Sequence, residues 1–475
     1  MSQHRDTVRN REKAAHTNNW RTSLTSVCII LCQFVQMIPV GAGINGSLNI
    51  AKGLGAPLSK PSGSWPRIRT FVIIGGRIGA VYGHKITAVV AGAAWVIFHL
   101  IAGFMRHIIS VCIMRALAGI AAAFVMPNAI ALITINFPPG KTRNLTVGLF
   151  GAMAPIGAAG GSVFPGLFGQ LLPWWWLFFF LAILGAVVSG LFFLVVKGEE
   201  QPMDRNGKID YAGAYFGVAG LFLFNFSWTQ ASLVGWDHPY VYSIFLVSLL
   251  HLVVFAFLEV KVVDQPAHHA YGMMIVSAVI SFMSFGMLLW YVTVWNLEVR
   301  GYSVLLNAAA FVPLTIGGAG AAILSAHIVR YVAAQYTFAI GSLATLVSLI
   351  LVATMPEQQS YWAQVFPALL LASLGPDFLF TASQLIASGT VKRSQQGVAG
   401  SLIGTVLAYG LATGLGFAGT VEYYTNNQGK DLVKGYRNGL YIGIGMAGAA
   451  IILPLLSVRI PKDTREGWDE ETIAD

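Results

Sequence analysis

Charge is in short supply in this chain: Asp, Glu, Lys and Arg make up 10% of it, and hydrophobic residues 56%. A soluble domain carries roughly 25% charged residues, so the composition excludes a soluble globular protein and indicates a membrane one. Cysteine is nearly missing too. Cys28, Cys32 and Cys112 are the only three. All fall inside apolar runs, which excludes a disulfide framework and leaves no metal-ligand spacing. No HExxH, GxSxG or Walker sequence is present, and GRIGAVYG lacks the strand and helix that a phosphate loop requires. These absences point away from an enzyme, a metal site and ATP-driven transport. The net charge of +9 does not argue for a nucleic-acid partner, because the basic residues are scattered through short loops without a stripe or a recognition fold.

Long apolar runs, by contrast, are abundant. A membrane helix needs about 20 mostly apolar residues, because the hydrocarbon core is about 30 Å thick and a helix rises about 1.5 Å per residue. Runs separated by polar or Pro/Gly breaks predict spans near 24–45, 70–83, 86–105, 108–135, 145–170 and 173–196, then 211–232 and 239–260. Six more follow near 272–294, 304–329, 335–355, 361–389, 396–421 and 437–458. Backbone polar groups must be satisfied within lipid, so runs of this length mean an all-α polytopic bundle, not a barrel. The 52 glycines agree, since they let membrane helices approach closely but would weaken helices in water.

The chain accordingly divides into a cytosolic tail (1–22), a six-helix half (23–196), a linker with two extra helices (197–265), a second six-helix half (266–458) and a cytosolic tail (459–475). With the N-terminus inside, nineteen Lys and Arg fall in cytosolic segments and nine in outer ones. This bias places both termini in the cytosol. The basic N-terminal stretch leads into a full span without a small-residue cleavage site, which reads as a retained first helix. One span is anomalous. Only the seven residues TFVIIGG separate Arg69 from Arg77, too few to cross a bilayer. Either the helix recruits the flanking SWPRIR and IGAVYG with snorkelling arginines, or part of a helix is missing.

The stretch GGRIGAVYGHK resembles the loop signature of the major facilitator superfamily, with Gly76, Arg77, Gly83, His84 and Lys85 in matching places. In that signature glycines permit a tight turn and basic residues anchor the cytosolic gate; its acidic residue is replaced here by Ala80. RALAGIAAAFVMPNAIAL is similar to the fourth-helix pattern in which an arginine, here Arg115, faces the central cavity. A charge so placed costs about 2.5–3.5 kcal/mol on insertion scales, so it either faces water or a partner or snorkels to the interface. GLFGAMAPIGAAGGSVFPGLFG resembles the glycine- and proline-rich fifth helix of drug:proton antiporters through Gly151, Pro155, Gly157, Gly161 and Gly166, although Ser162 and Pro165 interrupt the usual spacing. Small-residue packing alone is the competing explanation. The linker, the extra pair and the late stretch SLGPDFLFTASQLIASGTVKRSQQGVAG resemble the fourteen-span antiporter subgroup, in the fungal branch with aminotriazole-resistance and low-affinity ammonium or boron transporters.

Proton coupling needs a group that changes charge within the membrane. Asp377 is the leading candidate, directly after Gly375 and Pro376, which can open the backbone; capping a broken helix is its structural alternative. Arg115, Gln384, Gln36 and Asn128 complete the candidate proton and substrate contacts. Many relatives carry a buried acid in the first span, where this chain reads QFVQMIPVGAGING and offers only neutral groups such as Gln33 and Gln36. His99 and His251 read as core histidines, and PWWWLFFF, Trp228, Trp290 and Trp295 as an aromatic interface belt. The resemblance implies a secondary transporter exporting a small toxic compound or metabolite by alternating access, with no cofactor and the proton gradient as energy source. A low-affinity ammonium-type facilitator and a non-transporting sensor are the alternatives. The expected partners are a small-molecule solute and the bilayer, the expected state a monomer, and the expected location the plasma membrane, with the vacuolar membrane as alternative.

Overall fold

A computed structural model describes residues 2–46, 50, 72–137, 141–198, 210–262, 269–328, 331–390, 396–427 and 429–457. Every regular element among them is helical. The first half comprises α1 (Ser2–Asn45), α2 (Val72–Tyr82), α3 (His84–Phe104), α4 (Ile108–Asn136), α5 (Lys141–Leu171) and α6 (Trp176–Val195). The extra pair is α7 (Tyr211–Val234) and α8 (Pro239–Val262). The second half comprises α9 (His269–Val294), α10 (Val304–Ala310), α11 (Val312–Ile328), α12 (Ala334–Ala353), α13 (Val365–Ala372), α14 (Leu374–Thr390), α15 (Gln396–Thr425) and α16 (Leu432–Ser457). The pairs α10–α11 and α13–α14 each form one span with a local break, so the molecule is a fourteen-helix bundle of two six-helix halves, with the two extra helices between them in sequence. Among the described residues, twelve spans are long and apolar enough to cross a membrane by themselves.

The bundle is apolar on its outside as well as its inside, because lipid replaces water as the surrounding solvent. Val90, Ile97 and Leu100 on α3 and Ile183, Val187 and Leu194 on α6 are exposed and face outward. Trp95, Phe150 and Phe178 fill the core of the first half, and Tyr291, Trp295, Leu349 and Leu440 that of the second. The apolar part of α1 is Trp20–Gly43, 24 residues. The face of the membrane where this stretch begins is called the near face below, and the face where it ends the far face.

The anomalous second span is α2, whose 11 residues rise only ~16 Å. It does recruit IGAVY, running through Arg77 to Tyr82; the SWPRIR flank lies outside the described residues, as do residues 199–209 of the linker. Helix α2 turns into α3 through Gly83 at φ 105°, a conformation that glycine adopts without strain. Asp210 caps α7, its Oδ1 accepting the Gly213 N–H at 2.9 Å.

Inside the first half, α1 and α5 run parallel in close contact. Ser26 and Thr146 hydroxyls bond at 3.0 Å near one end. Farther along, a Cβ at Gly157 would lie 2.5 Å from the Phe34 carbonyl oxygen, one at Gly161 1.9 Å from that of Ile38, and one at Gly41 1.7 Å from that of Ala158. Such backbone approach is what small residues permit in membrane helices. The two halves meet along two lines. Helix α5 packs on α10 and α11, while α2 and α4 pack on α15.

Candidate solute and proton site

Asp377 lies in the first turn of α14. The break in its span falls at Ser373, between α13 and α14, two residues before the Gly-Pro pair expected to open the backbone. Gly375 packs closely there: a Cβ on it would sit 2.4 Å from the Thr345 hydroxyl of α12. The Asp377 side chain is buried, with 9% exposure, and its Oδ2 has no hydrogen-bond partner. A buried carboxylate oxygen left unpaired is costly.

The position of Asp377 relates the two halves. A Cβ placed on Gly318 of α11 would lie 3.6 Å from Asp377 Oδ2 and 3.0–3.1 Å from Pro155 Cγ and Cβ of α5. The carboxyl is therefore set beside the seam where the glycine-rich helix of the first half meets α11 of the second. One turn along, Thr381 and Ser325 hydroxyls bond at 2.9 Å, tying α14 to α11. A neighbouring cleft of about 600 Å³ between α11 and α13–α14, lined by Gly317, Gly320, Ile323, Leu370 and Ser373, opens past the exposed Ile323 and Leu370 toward lipid.

The remaining candidates are distributed over several places. Arg115 lies against α1 and α6, its Nη2 3.0 Å from the Cβ position of Gly43 and its guanidinium 5.9 Å from the Phe178 ring centre. Gly43 marks the far face, whereas Pro155 is level with residues near Phe34 through the α1–α5 register. Arg115 and Asp377 therefore differ in depth by roughly 15 Å, and the structure does not bring them together. Gln36 is buried in α1, as is Gln33, whose Oε1 has no partner. The side chain of Gln384 lies outside the described residues.

Asn128 and His84 do meet. His84 Nδ1 and Asn128 Oδ1 are 2.7 Å apart, and Asn128 Nδ2 donates to the carbonyls of Gly75 (3.0 Å) and Phe124 (2.6 Å). Asn128 thus joins α2, the start of α3 and α4. A Cβ at Gly79 would strike Asn128 Oδ1 at 1.7 Å, so glycine is required there. Gly76 is buried and Arg77 half-buried in α2. Lys85 lays its alkyl chain over Gly198, 3.0 Å from its Cβ position, with its ammonium 5.4 Å from the Phe193 ring centre. In the α5 set, Gly157 and Gly161 face α1, Gly166 faces Leu305 of α10 at 3.3 Å and Pro155 faces Gly318, while Gly151 meets nothing within 4 Å.

Two tryptophans leave the expected interface belt. Trp295 is fully buried in the second half, and Trp228 stacks on Phe417 of α15 at 3.7 Å; both are drawn into helix–helix contacts that bury more of the ring than an interface would. His99 fits the core reading, its Nδ1 bonded to the Trp95 carbonyl at 2.9 Å. A polar network at the far face escaped sequence reasoning. The Tyr436 hydroxyl donates to Glu298, the Tyr291 hydroxyl to Glu422 at 3.1 Å, and Arg437 Nη2 to the Met355 carbonyl at 3.0 Å. Its tyrosine–glutamate partners are more than 130 residues apart in sequence, so no local pattern reveals it.

Two six-helix halves meeting at small-residue seams, with a buried unpaired carboxyl beside one seam, define a polytopic membrane protein built to pass solutes. Residues 70–417 match the Major Facilitator Superfamily, and the chain belongs to that family of transport proteins, not to the enzymes. It is 38% identical to an uncharacterized MFS-type transporter of Schizosaccharomyces pombe, over 82% of this chain and 77% of that one. It is 34% identical to a low affinity ammonium transporter of Saccharomyces cerevisiae, over 81% and 78%. It is 30% identical to an efflux pump of Aspergillus terreus, over 90% and 84%. Its partners are the lipid bilayer and a small-molecule substrate.

Proposed function

We propose that the chain is a proton-coupled exporter of a small toxic compound or metabolite, working by alternating access as a monomer in the plasma membrane, as a member of the fourteen-span antiporter subgroup. The observation that carries this reading is the orphaned Asp377 Oδ2, buried where α14, α11 and α5 converge. A carboxyl with no partner binds and releases a proton at the least structural expense, since no ion pair must be broken first. Its place beside the Pro155–Gly318 contact lets protonation bias that seam, which a rocking motion of the halves must open and close. The similarity to an efflux pump supports the outward direction.

Arg115, level with the far face, recruits or orients anionic groups at the cavity mouth and does not tune Asp377. Gln36 contributes neutral hydrogen bonds from α1. The motif around Gly83, His84 and Lys85 serves the near-face gate. One observation favours a second reading: α1 carries Gln33 and Gln36, both buried and neutral, which suits a facilitator of small neutral or singly charged solutes, as does similarity to a low affinity ammonium transporter. Reconstitution into proteoliposomes with an imposed pH gradient separates the two. Export predicts solute movement against its gradient with counterflow of protons; facilitation predicts equilibration that ignores the pH gradient.

A further inference from the structure

The extra helix α7 lies along α15 in a constant register. The Tyr409 hydroxyl donates to the Leu221 carbonyl at 3.2 Å, Asn225 Nδ2 to the Thr413 hydroxyl at 3.0 Å, and the Trp236 N–H to the Tyr424 hydroxyl at 2.8 Å, each pair 188 residues apart. Between them, Gly416 receives Trp228 and Gly419 receives Ser232, a Cβ added at either glycine lying 2.8 Å from the Cβ of its partner, and Trp228 stacks on Phe417 with an interplanar angle of 16°. On α7 the contacts recur at residues 221, 225, 228 and 232, the alternating four-and-three spacing of a coiled-coil seam. This seam is parallel, extends for about three turns and is tied by hydrogen bonds at both ends. Among the described residues α7 shares no seam of this extent with the first half. The other sides of α15 are committed elsewhere: Gly410 and Gly414 approach the α9 backbone, and Gly404 faces Met126 of α4 across the junction of the halves.

We propose that the extra pair belongs mechanically to the second half, and that Trp228 and Asn225 are positioning residues that hold α15 against α2 and α4 while the halves move. The proposal rests on the alternating-access reading above. A seam with interlocked rings and end-to-end hydrogen bonds slides only by breaking all of them together, whereas the α5–α10 and α5–α11 contacts include glycine and proline surfaces at Gly166 and at Pro155–Gly318.

The test uses the full chain in lipid nanodiscs, with Cys28, Cys32 and Cys112 replaced by alanine and no solute required. The pair Ser232→Cys/Gly419→Cys reports the α7–α15 seam. The pair Gly166→Cys/Leu305→Cys, with a Cβ separation of 3.3 Å, reports the junction of the halves. Copper-phenanthroline crosslinking at pH 5 and pH 8 is expected to proceed at rates within about twofold of each other in the first pair and to differ at least fivefold in the second. A first pair that varies with pH as much as the second overturns the proposal; a second pair that does not vary overturns proton-coupled alternation instead. Maleimide labelling of a single Gly404→Cys then decides the positioning role. Trp228→Ala is expected to raise labelling at least fivefold, with Trp228→Phe restoring it to within twofold. Labelling unchanged by Trp228→Ala refutes the role of Trp228 whatever the crosslinks show.

Discussion

Gly161→Ala is the sharpest test of the α1–α5 packing, because the added atom meets backbone and not a side chain that can swing away. The new Cβ would lie 1.9 Å from the Ile38 carbonyl oxygen, and ordinary contact begins at 3.4 Å, so α5 must retreat by at least 1.5 Å along that line. Retreat is opposed over the whole seam, since Gly41 and Gly157 also approach backbone, at 1.7 and 2.5 Å from their Cβ positions. A gap of 0.5–1 Å already forfeits a quarter to a half of each dispersion contact, and overpacking of this kind costs about 1–3 kcal/mol or more. The displaced helix also carries Pro155, so transport is expected to fall with stability. The control is Gly151→Ala on the same helix, where nothing lies within 4 Å. There the better helix propensity of alanine makes the change neutral or stabilising by up to ~1 kcal/mol. Thermal melting in detergent, with flux into proteoliposomes, reads both variants. If Gly161→Ala melts within a degree of Gly151→Ala and transports as well, the close packing of α1 on α5 is refuted.

Three further outcomes are expected. Asn128→Ala and His84→Ala, each losing a buried hydrogen bond worth roughly 1 kcal/mol plus the burial penalty of the stranded partner, are strongly non-additive in a double-mutant cycle of melting; additive losses contradict the contact. Gly318→Ala, whose Cβ meets Pro155 at 3.0 Å and Asp377 at 3.6 Å, lowers flux at least fivefold while leaving expression and melting near those of the parent, and normal flux argues against a moving seam there. Tyr436→Phe removes the donor to Glu298 and lowers stability by about 1–3 kcal/mol, as expected for a bond to a charged group; an unchanged melting point shows that the far-face network is not formed.

Much of the architecture was legible from hydropathy, because lipid imposes length and apolarity on every span independently of tertiary context. The GGRIGAVYGHK turn was readable for a similar reason, Gly83 being required by its positive φ. The destination of side chains was less legible. Asn128 stood with Arg115 and Asp377 as a cavity candidate, yet its amide hydrogens are both committed to backbone carbonyls, a pairing fixed by the approach of α2 that no periodicity reveals. Trp228 lies at a plausible interface depth, but the glycine that receives it, Gly416, lies in α15, nearly 190 residues later. Asp377 could be nominated from its charge in an apolar run, while its relation to Pro155 required the packing of the two halves.

Asp377→Asn asks whether Asp377 carries the coupled proton, since the amide keeps the shape and removes the titration. In proteoliposomes with an imposed pH gradient, the parent protein is expected to drive its solute against the solute gradient. The Asp377→Asn variant is expected to bind and exchange solute while ignoring the pH gradient. Gradient-driven transport that survives Asp377→Asn shows that another group carries the proton.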